Sequence, residues 1–261
     1  MAEAVNQSGA SVHLGTPVRR VARRAGGRLA LEFFSGEQRE YTHVVSTMPL
    51  THLAAAIPGA TSPVRRAASA LRFRNTVLVY LRVGARELFP DQWIYVNSPD
   101  LEAGRITNYS NWVPELCGDN RHTVLSIELW CDPGDGRWGE SNERHIERAA
   151  ENLRRAGLIG KAPITGGHVV RVSNCYPIYD LGYRDHLEIL SSYLKTIPGL
   201  HAIGRYGTFR YNNQDHSLLM GILAAENIAL GRAHDLWKIN TGRAYQEAAV
   251  IRDTGLDLKG A

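Results

Sequence analysis

Leu200-His201-Ala202-Ile203-Gly204-Arg205-Tyr206-Gly207-Thr208-Phe209-Arg210-Tyr211-Asn212-Asn213-Gln214-Asp215-His216 is the stretch on which the reading of this chain turns. It opens on a short apolar run that suits a strand, passes through a loop holding two glycines, and leads into a helical pattern. Leu218, Leu219, Ile222 and Leu223 recur at helical spacing with the small residues Gly221, Ala224 and Ala225, and Gly231 marks the end. Strand, glycine loop and polar helix start together put unpaired backbone N–H groups at the foot of a helix, where about half a positive charge collects. Such a place attracts phosphate, or any group that becomes anionic. The plain alternative is an ordinary strand-turn-helix in which Asp215 or Ser217 caps the helix.

Working outward, Val12, Leu14 and Val18 lead to a turn at Gly26-Gly27, and Leu29, Leu31 and Phe33 then alternate with polar neighbours, as in a small antiparallel meander. Val44-Val45 reads as a strand stopped near Pro49, with a short helix over Leu50 to Ile57. The runs Thr76 to Val83, Gln92 to Val96 and Thr123 to Trp130 have strand character, the last with Leu125, Ile127 and Leu129 on one face. Ser141 or Asn142 can cap a helix carrying Ile146, Ala149, Ala150 and Leu153, with Gly157 beyond its end. A strand from His168 to Ser173 precedes a second amphipathic helix marked by Tyr183, Leu187, Leu190 and Leu194.

The 261 residues carry a formal charge of +4, with 44% hydrophobic and 21% charged positions, which suits a globular protein of one large or two smaller domains. No stretch of about eighteen apolar residues suggests a membrane span, and Met1 to Ala10 has no signal pattern, so the expected address is cytoplasmic. Three cysteines without C-x-x-C spacing argue against a disulfide framework and against zinc, so no metal is expected. The basic run Arg19, Arg20, Arg23, Arg24 and Arg28 straddles the first hairpin and reads as a solvated strand edge, so no nucleic-acid partner is expected.

The Gly204 to His216 run resembles the C-terminal flavin motif of bacterial FAD-dependent oxidoreductases of the amine oxidase and protoporphyrinogen oxidase-like superfamily, with a weaker echo of UDP-galactopyranose mutases. The likeness extends to Val45 through Leu50, to Trp93-Ile94-Tyr95, to Tyr176 through Asp180, and to Asp235 through Asn240. It implies an α+β (mixed α/β) fold, in which an antiparallel substrate-domain sheet with covering helices accompanies an incomplete Rossmann-like FAD-binding domain. The implied division is 1–59 and 183–261 for the FAD side and 60–182 for the substrate side.

By the same resemblance Val18 would offer its backbone to the adenine end of FAD, Thr47 and Pro49 would lie near the dinucleotide, and Gly204 and Arg205 would meet the pyrophosphate or ribityl chain. Arg210, Tyr211, Asn213, Gln214, Asp215 and His216 complete the implied cofactor set. Tyr95, Trp112, Tyr176 and Tyr179 are the implied substrate-pocket residues, although aromatics in strands also serve as core. No acid or base is obligatory, and Asp215 and His216 are the nearest candidates.

Family members open on a strand, a G-x-G-x-x-G loop and a helix; Met1 falls about halfway along such a protein, and the glycine-rich cradle for the pyrophosphate is expected to be absent. The leading expectation is the C-terminal portion of a flavoenzyme that oxidises a small molecule by hydride transfer to flavin. One alternative is mutase-like chemistry on a nucleotide sugar, with Arg205, Arg210 and Tyr179 holding a diphosphate. Another is a non-catalytic half that docks with a separate dinucleotide-binding chain.

Overall fold

The structure, a computed structural model, describes residues 2–118, 121–132 and 134–240, together with the backbone of 250–252 and 255–257. A short helix α1 (Ala2–Gln7) is followed by strands β1 (Val18–Arg23), β2 (Leu29–Phe33), β3 (Gln38–Tyr41) and β4 (Val44–Ser46), then by helices α2 (Leu50–Ala56) and α3 (Ser62–Ala70). The middle of the chain gives β5 (Arg72–Val83), β6 (Trp93–Tyr95), β7 (Arg105–Asn108), β8 (Thr123–Cys131), α4 (Asn142–Arg155) and β9 (Ile164–Ile178). After it come α5 (Tyr183–Lys195), β10 (Leu200–Ala202), the single helical turn α6 (Gly204–Gly207) and α7 (Gln214–Ala229), with a terminal hairpin of β11 (Val250–Arg252) and β12 (Gly255–Asp257). The fold class is mixed α/β with antiparallel sheets and covering helices, as the sequence suggested.

The chain divides into two compact units, the first from Met1–Ala70 and Gly182–Ala261 and the second from Leu71–Leu181. The second unit is built on one five-stranded sheet in the order β6-β7-β8-β5-β9, with every neighbouring pair antiparallel. In β5 and β8 the aliphatic residues recur at every second position. Val77, Val79, Leu81, Leu125, Ile127, Leu129 and Ile106 are all 2% exposed or less and form one apolar face with Ala149, Ala150 and Leu153 of α4. Each such aliphatic side chain contributes roughly 1.5–3 kcal/mol by leaving water. Ser141 fixes where α4 starts, its side chain accepting from the Arg144 amide at 3.2 Å.

In the first unit, β1, β2 and β3 form the expected meander, turning through Ala25–Gly27. Beside it stands a two-stranded parallel sheet, β10 with β4, in the register Leu200↔Val44, His201↔Val45 and Ala202↔Ser46. Leu200, Ala202 and Ser46 are buried, whereas Val45 is 43% exposed, so the pair packs strongly on one face only. Helix α7 contributes Met220 and Ala224 to a small cluster with Ile203 and Leu236.

Among the elements that carried no legible sequence pattern are α1, α3 and β7. In α3 the buried positions are Val64, Ala67 and Ala68, too small and too few to announce a helix. In β7 a single buried aliphatic, Ile106, lies among polar residues, and the strand forms because it is paired on both sides. The segment Gly204–Gly207, expected as an open loop, winds into a helical turn closed by the Thr208 amide on the Gly204 carbonyl at 3.1 Å.

Candidate functional site

In the first unit the parallel register draws two distant segments together. Where β10 ends, the Ile203 amide donates to the Ser46 carbonyl at 3.0 Å. The chain then turns at Gly204, whose φ of +77° belongs to the left-handed region that glycine enters without strain; a Cβ there would lie 3.8 Å from Thr47 Cγ2. Gly207 sits closer still, for its added Cβ would be 2.9 Å from the Ser46 carbonyl oxygen and 3.7 Å from that of Met48. Thr47 is exposed, and Pro49 stands half-buried as the residue that begins α2. Thr47 and Gly204 are thereby brought close together, while Val18 lies at an irregularity in the β1–β2 ladder.

The loop from Arg205 to Asn213 is held tightly. The Arg205 guanidinium stacks 4.2 Å from the Tyr211 ring centroid and donates to the Asn212 carbonyl at 3.1 Å. Arg210 donates to the carbonyls of Trp237 and Ile239, both at 2.7 Å, and Asn240 bonds the Asn212 side chain and the Tyr211 carbonyl. Phe209, 1% exposed, adopts φ +50°, a conformation that a bulky residue holds only when its surroundings impose it. These contacts fix the approach to α7.

Helix α7 begins at Asn213, not at Asp215 or Ser217 as the plain reading had it, with Asn213 and His216 forming a capping box. The Asn213 amide donates to His216 Nδ1 at 3.3 Å, and Asp215 Oδ1 lies 3.2 Å from the same nitrogen. One nitrogen cannot accept from the amide and donate to the carboxylate at once, so the proton on His216 decides which partner it keeps. Asn213, His216 and Ser217 are half-buried, and Gln214 and Asp215 are exposed. The helix start is neither sunk in the core nor wholly solvated.

The second unit has a polar and aromatic face opposite its core. One row of cross-strand neighbours runs Tyr95, Arg105, Glu128, Leu78. Glu128 is 5% exposed; Arg105 donates to its Oε1 through Nε at 2.8 Å and through Nη2, while Tyr176 Oη at 3.0 Å and Trp130 Nε1 at 3.4 Å serve Oε2. Burial, then the neighbouring Glu128 charge, pushes the Tyr176 phenol above its ordinary pKa. Burial works against the Arg105 charge, but the Glu128 hydrogen bond and charge outweigh it and raise the pKa. Tyr80, stacked on Tyr109 on the same face, is pushed up to about 12 by burial and by that neighbour.

Of the aromatic residues singled out in the sequence, Tyr95 and Tyr176 belong to this network. Trp112 stacks on Trp93 with ring centroids 5.3 Å apart, and Tyr179, 48% exposed, lies just past β9. The reading of the sequence missed Arg105, Glu128 and Trp130. A signal was present for Glu128, the one charged residue of a mostly apolar strand, lying between Ile127 and Leu129, since a buried charge must be paired.

The glycine spacing expected to be absent does occur once, at Gly134-Asp135-Gly136-Arg137-Trp138-Gly139. It does not make a phosphate cradle. A Cβ on any of its three glycines would meet nothing within 4 Å, and the segment after Asp135 is a short 3-10 turn leading to α4, not a loop opening directly into it. Ser141 already caps α4, Glu143 places a carboxylate in its first turn, and Arg171 pins the connection through the carbonyls of Trp138 and Glu140. Among the described residues no three His, Cys, Asp or Glu side chains gather to hold a metal, and no helix is long and apolar enough to cross a membrane.

Similarity to solved structures covers most of this chain but about half of each match. A reduced UDP-galactopyranose mutase aligns with a TM-score of 0.78 at 20% identity, over 92% of this chain and 51% of that one. A protein described as a protoporphyrinogen oxidase, from Exiguobacterium sp. 255-15, aligns at 0.64 and 19%, over 85% and 48%. A CLA-producing fatty acid isomerase from P. acnes aligns at 0.55 and 14%, over 86% and 50%. No curated protein matches the chain. At these identities the likeness establishes the fold; the membership comes from the sequence itself, because the profile described as flavin containing amine oxidoreductase matches residues 1–229. The chain belongs to the flavin containing amine oxidoreductase family.

Proposed function

We propose that this chain is the C-terminal portion of an FAD-dependent oxidoreductase, its first unit bearing on the cofactor and its second on a small-molecule substrate. The observation that carries the reading is the parallel pairing of β4 with β10, which sets Thr47 beside Gly204 at the head of the loop that leads to α7. The residues fit one side of a flavin. Gly204 presents backbone with no side chain, and the first turn of α7, which also carries the Asn213–His216 capping box and Asp215, would set its positive end towards an electron-rich ring edge. Thr47 and Pro49 would flank the dinucleotide, while Asn213 through His216 would face the ring. When bound, the flavin supplies a two-electron acceptor for a hydride. His216, poised between the Asn213 amide and Asp215, is the group that would hold or release a proton there.

A pyrophosphate seat of the strand, G-x-G-x-x-G and helix type would come from a dinucleotide-binding half, on this polypeptide or another. The mutase alternative is less favoured, because Arg205 and Arg210 donate to protein carbonyls in a loop that they hold closed. The test is visible absorbance of the purified chain, with and without added FAD and with and without a dinucleotide-binding half. Weak retention alone and firm retention with that half is the expected outcome; no spectral change under either condition would overturn the reading.

A further inference from the structure

We propose that the outer edge of the Arg105 guanidinium is a carboxylate-binding site, so that the substrate carries a carboxylate next to a flat apolar group. This rests on the reading that the second unit meets the substrate. A guanidinium has five N–H donors in one plane and two edges that can each grip a planar oxyanion. Glu128 occupies the inner edge in an unusual manner, for Nε and Nη2 both donate to Oε1 and the usual two-oxygen fork is not made. Oε2 is instead taken by Tyr176 and Trp130. The edge formed by Nη1 and Nη2 is thereby turned from Glu128, with the Tyr95 side chain as a further hydrogen-bonding neighbour of the guanidinium.

Exposure within the pair is unequal, the Glu128 side chain being 6% exposed and that of Arg105 29%. The carboxylate is buried and the Arg105 side chain is partly exposed. Flat walls surround it. The guanidinium carbon lies 6.0 Å from the Tyr95 ring centroid, and Trp130, 38% exposed, lies close enough to Gly104 that a Cβ there would be 2.6 Å from its ring. One row away, the Thr76 hydroxyl is 1% exposed and has no hydrogen-bond partner among the described residues. A cationic ligand group is disfavoured on this patch, because four donors from three side chains already saturate Glu128. The Glu128 charge also weakens the pull on a second anion, so the expected affinity is that of an ordinary substrate, with Kd about 1 μM to 1 mM.

Titration calorimetry of the full chain with benzoate, benzamide and inorganic phosphate tests the proposal. Benzoate is expected to saturate one site, with benzamide and phosphate not doing so over the same range. Arg105→Lys keeps the charge but removes the planar fork, and should weaken benzoate on the order of tenfold or more. Benzoate should also change tryptophan emission in the natural chain and not in Trp130→Phe, a readout independent of how well the Arg105 variant folds. The proposal is overturned if benzamide binds as tightly as benzoate, if phosphate binds in its place, if Arg105→Lys is unchanged, or if benzoate does not saturate. No flavin enters the measurement, so its failure leaves the cofactor reading standing, and a failed flavin titration leaves this site standing.

Discussion

Gly207 packs so closely on Ser46 that a Cβ added to it would stand 2.9 Å from the Ser46 carbonyl oxygen, nearer than real Cβ atoms approach. The obstructing atom is backbone at the end of a sheet strand, so it cannot swing aside. Gly207→Ala should destabilise the first unit by roughly 1–3 kcal/mol through overpacking, read as a lower melting temperature. Unchanged melting would show that the two segments pack more loosely than described.

Gly104 and Trp130 offer a matched case in the second unit, because the clash there is with a side chain that can move. A Cβ at Gly104 would be 2.6 Å from the indole, so Gly104→Ala should turn Trp130 outward and shift its emission towards that of a solvated indole. In a Trp130→Ala background the same glycine change should lose most of its effect on stability. Equal effects in both backgrounds would refute the coupling.

Glu128→Gln removes the charge that compensates a half-buried Arg105. The remaining guanidinium is partly screened by water, so the expected loss is about 1–3 kcal/mol, less than for a fully buried pair. Urea unfolding with unchanged slope and a lower midpoint would bear this out.

His145 supplies a pH dependence. It is fully buried in α4, and burial, followed by the Arg171 charge, lowers its pKa, with a hydrogen bond to the Arg137 backbone acting weakly against them. Arg148 acts in the same direction and Glu140 against it. With the folded pKa below the unfolded value of about 6.5, the unfolded chain takes the proton first as pH falls. Stability is therefore fully present above that value and lost as pH drops below it towards the folded pKa. Melting temperature followed from pH 7.5 downward, compared with His145→Leu, should show a steeper decline for the natural residue (about pH 6.5 and below).

Much of the architecture could be read locally, because its determinants are local. Leu125, Ile127 and Leu129 announced β8 by alternation, and Ser141 with Ile146, Ala149, Ala150 and Leu153 announced α4 and its start. Relations between strands were not legible. Glu128 and Arg105 become partners only once β7 and β8 are in register, and β7 has too little pattern to be placed beforehand. The α7 cap moved from the expected Asp215 or Ser217 to Asn213 because side-chain capping depends on where the preceding loop is anchored, here by Arg210 and Asn240. The candidate flavin residues were found by resemblance, and the oxyanion edge of Arg105 by geometry alone.

The parallel pair also bears on the order in which the chain assembles. His43 and His201, stacked beside it, are 158 positions apart, a long loop to close by diffusion. The intervening unit shortens that search when it folds first, since Arg72 pairs with Ile178 and bonds Asp180, holding its entry and exit strands side by side. The ribbon joining β4 to β10 then behaves as a far shorter tether, and the two glycine-bearing turns meet as a late event in the pathway.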